Sequence, residues 1–128
     1  MTRDIRSLQR LLKAQDLKTR ATEAQLGTLK IRLGELHAEE ESCLALLQNQ
    51  SFAVGLLSRS LTKRMAGLAA RKENVARRIS ETEEKVKLET LRSDKVQEWL
   101  DHAEEHAEEE RLAEVAQDDV ANKIHTSG

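Results

Sequence analysis

Apolar residues recur at alternating steps of three and four along the first half of the chain. Nine of the thirteen positions in this series are apolar, a spacing typical of a helix that buries one narrow stripe, or seam, against another helix. The spacing predicts a first helix over residues 3–48, in which Gly27 and Gly34 each cost about 1 kcal/mol relative to alanine. The thirteen seam positions are Ile5, Leu8, Leu12, Gln15, Thr19, Thr22, Leu26, Leu29, Leu33, Leu36, Glu40, Cys43 and Leu47.

A second series with the same spacing occupies the other half of the chain. It predicts a second helix over residues 57–123, followed by a frayed tail at 124–128. The series is weakest at Glu89 and Ser93, where a stutter or a change of partner is plausible. Its positions are Leu61, Met65, Leu68, Lys72, Val75, Ile79, Thr82, Val86, Glu89, Ser93, Val96, Leu100, Ala103 and Ala107, continuing to Ala121 and Ile124.

The two series are separated by residues 42–58, which include no charged residue in a chain that is 34% charged. The turn-compatible residues of this segment place a reversal at about 49–56. The chain is therefore predicted to be all-α, a single domain over residues 1–128 that forms a long antiparallel two-helix coiled-coil hairpin and is monomeric. One uninterrupted helix that dimerises as a straight rod is the alternative, so a homodimer stays open.

The distribution of charge favours the hairpin. Folding about residue 55 pairs positions whose numbers sum to about 110, which sets Glu40 opposite Lys72 as a half-buried pair that fixes the register. The same register brings Arg32 near Arg78, a mismatch. It also makes Arg3, Arg6 and Arg10 face Asp101, Glu104, Glu105 and Glu108, and makes Glu39 face Arg71.

Composition narrows the class of protein. The chain has no proline, no tyrosine, one phenylalanine and one tryptophan, too few aromatic residues for a typical compact core or a sheet. No stretch of about 20 apolar residues could span a bilayer, and a net charge of −2 gives no strong attraction to nucleic acid or anionic lipid. The single cysteine, Cys43, allows no internal disulfide and fits a reducing, cytoplasmic location.

One short motif imitates a metal site. Residues 102–110 read HAEEHAEEE, and His102, Glu105 and His106 match the H-x-x-E-H pattern of a class of zinc peptidases. Such an enzyme also needs a third ligand and a cleft that excludes water, and a two-helix rod provides neither. The motif is interpreted as an acidic, solvated helix face, with adventitious binding of soft divalent metals as the alternative. Neither catalysis nor a cofactor is expected.

Two surfaces are candidates for binding a partner. The apolar residues of the reversal either fold back on neighbouring leucines or are covered by a partner; they are Phe52, Val54, Leu56 and Leu57. Five cations at seven-residue intervals form either a solvated flank or a docking edge for an acidic protein; they are Arg64, Arg71, Arg78, Lys85 and Arg92. No aromatic residues are interleaved with these cations for base stacking, so nucleic acid is not an expected partner.

Trp99 lies off the main apolar series, and it either covers the weak part of the seam or marks an interaction surface. The segment EWLDHAEEHAEEERLAEVAQDDVANKI around it resembles the C-terminal region of the FliJ/YscO-type stalk proteins of flagellar and virulence type III secretion. That region carries a tryptophan followed about a dozen residues later by Leu-Ala-Glu and then by acidic and amide residues. Trp99, Leu112, Ala113, Glu114 and Asp118 or Asp119 stand in those places, and SFAVGLLSRSLTKRMAGL resembles the reversal of the family.

The resemblance implies a hairpin similar in fold to the coiled-coil shaft of rotary ATPases. Its paired helix ends, here residues 2–12 with about 98–124, would enter the pore of the hexameric export ATPase. The reversal, 46–64, would contact the export gate or a chaperone, so the protein would be cytoplasmic or peripheral at the inner-membrane export apparatus. A self-assembling coiled-coil spacer and a small helical chaperone or regulatory binding module are the alternative functions.

Overall fold

The computed structural model describes residues 4–48 and 55–126, which form two long helices. Helix α1 is Ile5–Gln48 and helix α2 is Gly55–Thr126. The two helices pack against each other without any strand in the described part of the chain, so the predicted all-α helical hairpin is confirmed. Neither helix offers a stretch long and apolar enough to cross a membrane.

Local chemistry explains where α1 begins. Asp4 precedes the helix, and its Oδ1 accepts a hydrogen bond from the backbone N–H of Arg6 at 3.3 Å. The Asp4 carbonyl accepts the first helical bond, from the N–H of Leu8, at 3.1 Å. An aspartate in this position satisfies N–H groups that have no partner within the helix, and such a cap contributes about 1 kcal/mol.

The ends of α2 differ from the prediction of 57–123. The helix begins at Gly55 and continues to Thr126, so the expectation of a frayed tail at 124–128 was wrong for residues 124–126. No proline occurs in the chain, and after Gly67 the next glycine is Gly128, so no residue type interrupts the second helix before its end. The remaining residues of the predicted tail and the centre of the predicted reversal lie outside the described residues.

Two packed units divide the chain, and each contains a section of both helices. One unit comprises residues 19–88, and its core consists of Leu36, Cys43, Leu61, Leu68 and Val75. Partly buried residues at the same spacing pack against this core; they are Leu29, Leu33, Leu47, Met65 and Ile79. Burying a side chain of this size contributes about 1.5–3 kcal/mol, so the seam is the main source of stability in this unit.

The other unit comprises residues 1–18 and 89–128. Its buried side chains are Leu8 on α1 and Glu89, Val96 and Leu100 on α2. All of them are predicted seam positions, so the spacing carries into this unit even where the residue is charged. The side-chain amide of Gln15 also donates to the backbone carbonyl of Glu89 at 3.5 Å.

Burial follows the predicted seam position by position. All thirteen seam residues of α1, from Ile5 to Leu47, are buried or half-buried. The same holds for the α2 series from Leu61 to Ala103, including the weak positions at Glu89 and Ser93. The predicted continuation to Ala107, Ala121 and Ile124 was wrong, because all three residues are exposed.

Candidate partner-binding surfaces

The predicted register pair forms within the unit of residues 19–88. Lys72 Nζ lies 3.2 Å from Glu40 Oε1, and 26% of the lysine side chain and 22% of the glutamate side chain are exposed. Lys72 Nζ also lies 3.3 Å from His37 Nδ1. The structure therefore brings Glu40 and Lys72 together as the charge pattern indicated, and their role in selecting the register stays a prediction.

The seven-residue cation series is exposed along its whole length. Four of its members belong to the unit of residues 19–88 and are called the basic edge here: Arg64, Arg71, Arg78 and Lys85. Arg92, in the other unit, is exposed as well. Within the described residues, none of these five cations lies within 4.0 Å of a carboxylate oxygen. The basic edge is thus a row of exposed cations that form no ion pair within the described residues.

Two contacts predicted near the basic edge can be followed in the structure. Glu39 and Arg71 line the same groove, together with Lys63 and Arg64, as the register predicts, and they do not form an ion pair in the described structure. The predicted mismatch of Arg32 and Arg78 is relieved on one side, because Arg32 Nη1 pairs with Glu35 Oε2 at 3.2 Å on its own helix. Exposed arginines reach neighbours one turn away more easily than the opposite helix, and such pairs contribute less than about 1 kcal/mol.

Arginines at the N-terminal end of α1 form no ion pair with the acidic stretch of α2 in the described structure. Arg6 and Arg10 are exposed and line a groove with Gln9 and Lys13, and neither is ion-paired in the part of the chain that the structure describes. Arg6 and Arg10 therefore form no ion pair, within the described structure, with the acidic residues that the register sets opposite them, Asp101, Glu104, Glu105 and Glu108. Arg3 lies outside the described residues.

Two acidic residues of α2, Asp101 and Glu108, accept hydrogen bonds from side chains three or four residues away on the same helix. Arg111 Nη2 and Nε lie 2.7 and 3.1 Å from the two carboxylate oxygens of Glu108. This hydrogen-bonded contact with Arg111 lowers the pKa of the Glu108 carboxyl and raises the pKa of the guanidinium. Gln97 likewise donates to Asp101 at 2.9 Å, so this stretch is organised along one helix.

The two histidines of HAEEHAEEE lie exposed on α2. His106 Nδ1 lies 3.4 Å from Glu110 Oε1, whereas His102 and Glu105 are solvated. Among the described residues, no group of three or more His, Cys, Asp or Glu side chains could hold a metal ion. The motif therefore offers one exposed histidine–carboxylate contact between described residues.

The predicted reversal surface lies largely outside the described side chains. Phe52 and Val54 lie outside the described residues, and for Leu56 and Leu57 the structure describes the helical backbone at the start of α2. Next to this segment, the side chains of Leu44 and Leu46 are exposed on the last turns of α1. Cys43 is buried, at a position that the spacing assigns to the seam.

Residues 104–126 of α2 form a surface that sequence reasoning missed, and we call this segment the overhang. Every described side chain from Glu104 to Ile124 is exposed, and the helix continues to Thr126. Four large apolar residues of the overhang are between 47% and 68% exposed: Leu112, Val115, Val120 and Ile124. The predicted register could have indicated this surface. Because opposite positions sum to about 110, residue 105 lies opposite Ile5, where α1 begins, and later residues of α2 have no opposite position on α1.

The unit that contains the overhang exposes other large apolar residues too. Leu11 and Leu17 of α1 and Leu91 and Trp99 of α2 are exposed, Trp99 by 39%. With the four apolar residues of the overhang, eight of the twelve exposed large apolar side chains in the described structure belong to this unit. Most of the exposed large apolar side chains among the described residues therefore belong to the unit that contains the overhang.

Comparison with protein-family models, with curated proteins and with solved structures finds no match to this chain. The resemblance to FliJ/YscO-type stalk proteins therefore rests on the residues that suggested it. Of those, Leu112, Ala113, Glu114, Asp118 and Asp119 all lie on the overhang and are exposed. These five residues are thus accessible on the surface of the overhang.

Proposed function

We propose that this protein is a non-enzymatic stalk or adaptor of a type III protein export apparatus. Its open end, where α1 begins and α2 ends, binds the hexameric export ATPase, and its other end contacts the export gate. The observation that carries the proposal is the overhang, a long exposed helix with apolar residues that belongs to a hairpin whose seam is otherwise covered.

The hairpin covers its own seam. Core residues such as Leu36 and Leu68 are 0% and 1% exposed within a single chain, so no second copy is needed to bury them. A self-assembling spacer normally keeps its apolar seam for the partner copy. Burial of the seam within one chain therefore favours an adaptor over a spacer.

The overhang at the open end, in contrast to the seam, exposes its apolar residues. An isolated helix is marginally stable in water, and most helices in proteins depend on packing of an apolar face. The overhang has no described side chain that is buried, although it carries Leu112, Val120 and Ile124. A helix of this kind suits a partner that surrounds it, and the central pore of a ring-shaped ATPase has that geometry.

A cross-linking experiment in the source cells tests the proposal. The full-length chain carries a tag, the cells are treated with a short amine-reactive cross-linker, and captured proteins are identified by mass spectrometry. We expect the export ATPase and an export-gate protein among the cross-linked partners. The reciprocal capture, with the tag on the ATPase, should recover this chain.

The control is Leu36→Asp, which places a charge at a core position that is 0% exposed and should unfold the hairpin. Its loss of helical circular dichroism should be accompanied by loss of ATPase capture. If the folded protein captures only other copies of this chain, the stalk function is refuted and the self-assembling spacer is favoured. Recovery of an unrelated client protein alone would favour the chaperone or binding module.

A further inference from the structure

We infer that the overhang is a docking helix, which inserts a stripe of apolar residues into an apolar groove with a cationic rim on the partner protein. This inference rests on the proposed function, since it names the chemistry of the surface that the open end meets. It concerns one segment, residues 104–126, whose described side chains all belong to the same unit.

The stripe follows from helical spacing. Leu112, Ala116, Val120 and Ile124 are four residues apart, so they follow one another along one side of the helix, and Val115 lies beside them. All five are exposed. Recognition of an amphipathic helix by a groove uses anchors at this spacing. The stripe therefore has the spacing of the anchor residues by which a helix binds in a groove.

The negative charge of the overhang indicates which charge the rim of the partner's groove carries. Residues 104–124 contain eight carboxylates and two cations, a formal net charge of −6. One of the two cations, Arg111, is already paired with Glu108. Complementary charges at the edge of an interface speed association and exclude partners of the wrong sign. The groove is consequently expected to carry lysine or arginine along its edges.

A second copy of the chain fits this surface less well. Two overhangs would bring −6 against −6, which opposes their pairing. The basic edge has the required sign, but Ser60, Gly67, Asn74 and Glu81 occupy the positions before and between its cations. None of these residues is apolar and large, and the leucines of that section are buried in the seam. The cationic grooves that a second copy offers, at Arg64 and Arg71 and at Arg6 and Arg10, are thus lined mainly by polar side chains and not by apolar ones.

Site-specific photo-cross-linking of the full-length chain in the source cells tests the stripe. A photoreactive amino acid replaces Ala116 in one strain and Glu114 in another. Two residues along a helix are about 200° of rotation, so these positions lie on nearly opposite sides of the overhang. We expect the Ala116 position to capture a partner about tenfold more efficiently than the Glu114 position, and the cross-linked partner peptide to contain apolar residues flanked by lysine or arginine.

Paired charge reversals test the rim. Glu109→Lys with Asp119→Lys changes the charge of the overhang by four units, and Glu23→Lys with Glu73→Lys makes the same change at exposed positions in the other unit. The overhang pair should reduce capture at position 116 by about tenfold, and the matched pair should leave it unchanged. Equal capture by both pairs would overturn the cationic rim.

The outcomes separate this inference from the proposed function. Capture of the ATPase or gate at position 116 and not at 114 upholds both. Capture of another protein at position 116 and not at 114, through a segment that contains both basic and apolar residues, upholds the docking helix and refutes the stalk function. Amine cross-linking to the ATPase without a difference between positions 116 and 114 keeps the stalk function and overturns the docking helix. Capture of a second copy, or of nothing at either position, also overturns it.

Discussion

Replacing Glu89 by leucine should stabilise the hairpin. Glu89 occupies a seam position and is 1% exposed, so its carboxylate has lost nearly all of its solvation. The cost of burying a carboxylate in a real protein is several kcal/mol, and partners recover only part of it. Because leucine has a similar volume and an apolar side chain, Glu89→Leu makes this position match its neighbours Val96 and Leu100 in the same unit.

The magnitude can be bounded from known exchanges. Replacing buried ionic groups by apolar ones of similar size is neutral or stabilising by about 1–4 kcal/mol, and partners of Glu89 left behind reduce the gain, so we expect an increase of about 1–3 kcal/mol in the free energy of unfolding. The hydrogen bond from Gln15 is unaffected, because it ends on the backbone carbonyl of residue 89. For 128 residues, an unfolding entropy of about 2.1 cal/mol/K per residue turns this gain into a rise of about 4–11 °C in Tm.

Thermal and urea unfolding followed by far-UV circular dichroism provide the measurement. Glu89→Gln removes the charge and keeps a polar side chain, so its gain should be smaller than that of Glu89→Leu. Glu83→Leu is the matched control, because Glu83 is exposed on the same helix and its replacement should change the unfolding free energy by less than about 0.5 kcal/mol. A loss of stability in Glu89→Leu, with Glu89→Gln unchanged or also less stable, would show that partners compensate the buried carboxylate and would refute this reasoning.

Three further predictions concern other parts of the structure. Glu40→Lys should lower the free energy of unfolding by about 1 kcal/mol through repulsion of Lys72, and adding Lys72→Glu should restore it; absence of rescue in urea melts would exclude a role of this pair in the register. Gly34→Ala should raise the unfolding free energy by about 0.5–1 kcal/mol, because a Cβ there meets no atom within 4 Å apart from its chain neighbours and the nearby backbone of its own helix; an unchanged urea midpoint would contradict this. Arg111→Ala should raise the pKa of Glu108 towards its ordinary value, which carboxyl NMR titration detects; an unchanged titration would mean that their hydrogen bond does not persist in solution.

The seam could be predicted because its signal is repeated. Each of the positions from Ile5 to Leu47 and from Leu61 to Ala103 adds to one spacing, so single polar residues do not obscure it. Glu89 shows the strength of this effect, since a carboxylate is buried where neighbouring apolar residues fix the face of the helix. Glu40 and Lys72 were predictable for the same reason, because the spacing holds both of them at the seam.

The exposed charges could not be predicted in this way. Arg32 and Arg111 pair with carboxylates three residues away on their own helices, whereas Arg6 and Arg10 have no ion pair within the described structure. Long side chains on a solvated surface exchange several partners of similar energy, so register alone does not select one. A contact between exposed charges is therefore a weak basis for deriving a hairpin from its sequence.

The end of α2 shows both what helical spacing predicts and what it leaves undetermined. Helical spacing continues through Ala107, Ala121 and Ile124, yet a spacing shows only that a face is apolar and not that another helix covers it. Coverage depends on the opposite helix, and α1 has 44 residues against 72 in α2. Because Ile5 and Ala103 are the last seam positions with reduced exposure, the surplus of α2 lies at the open end. Ala107, Ala121 and Ile124 are the part of the seam pattern that this chain does not bury, and Leu112, Val115 and Val120 are further apolar residues exposed on the same segment. The open end is therefore where we place the partner.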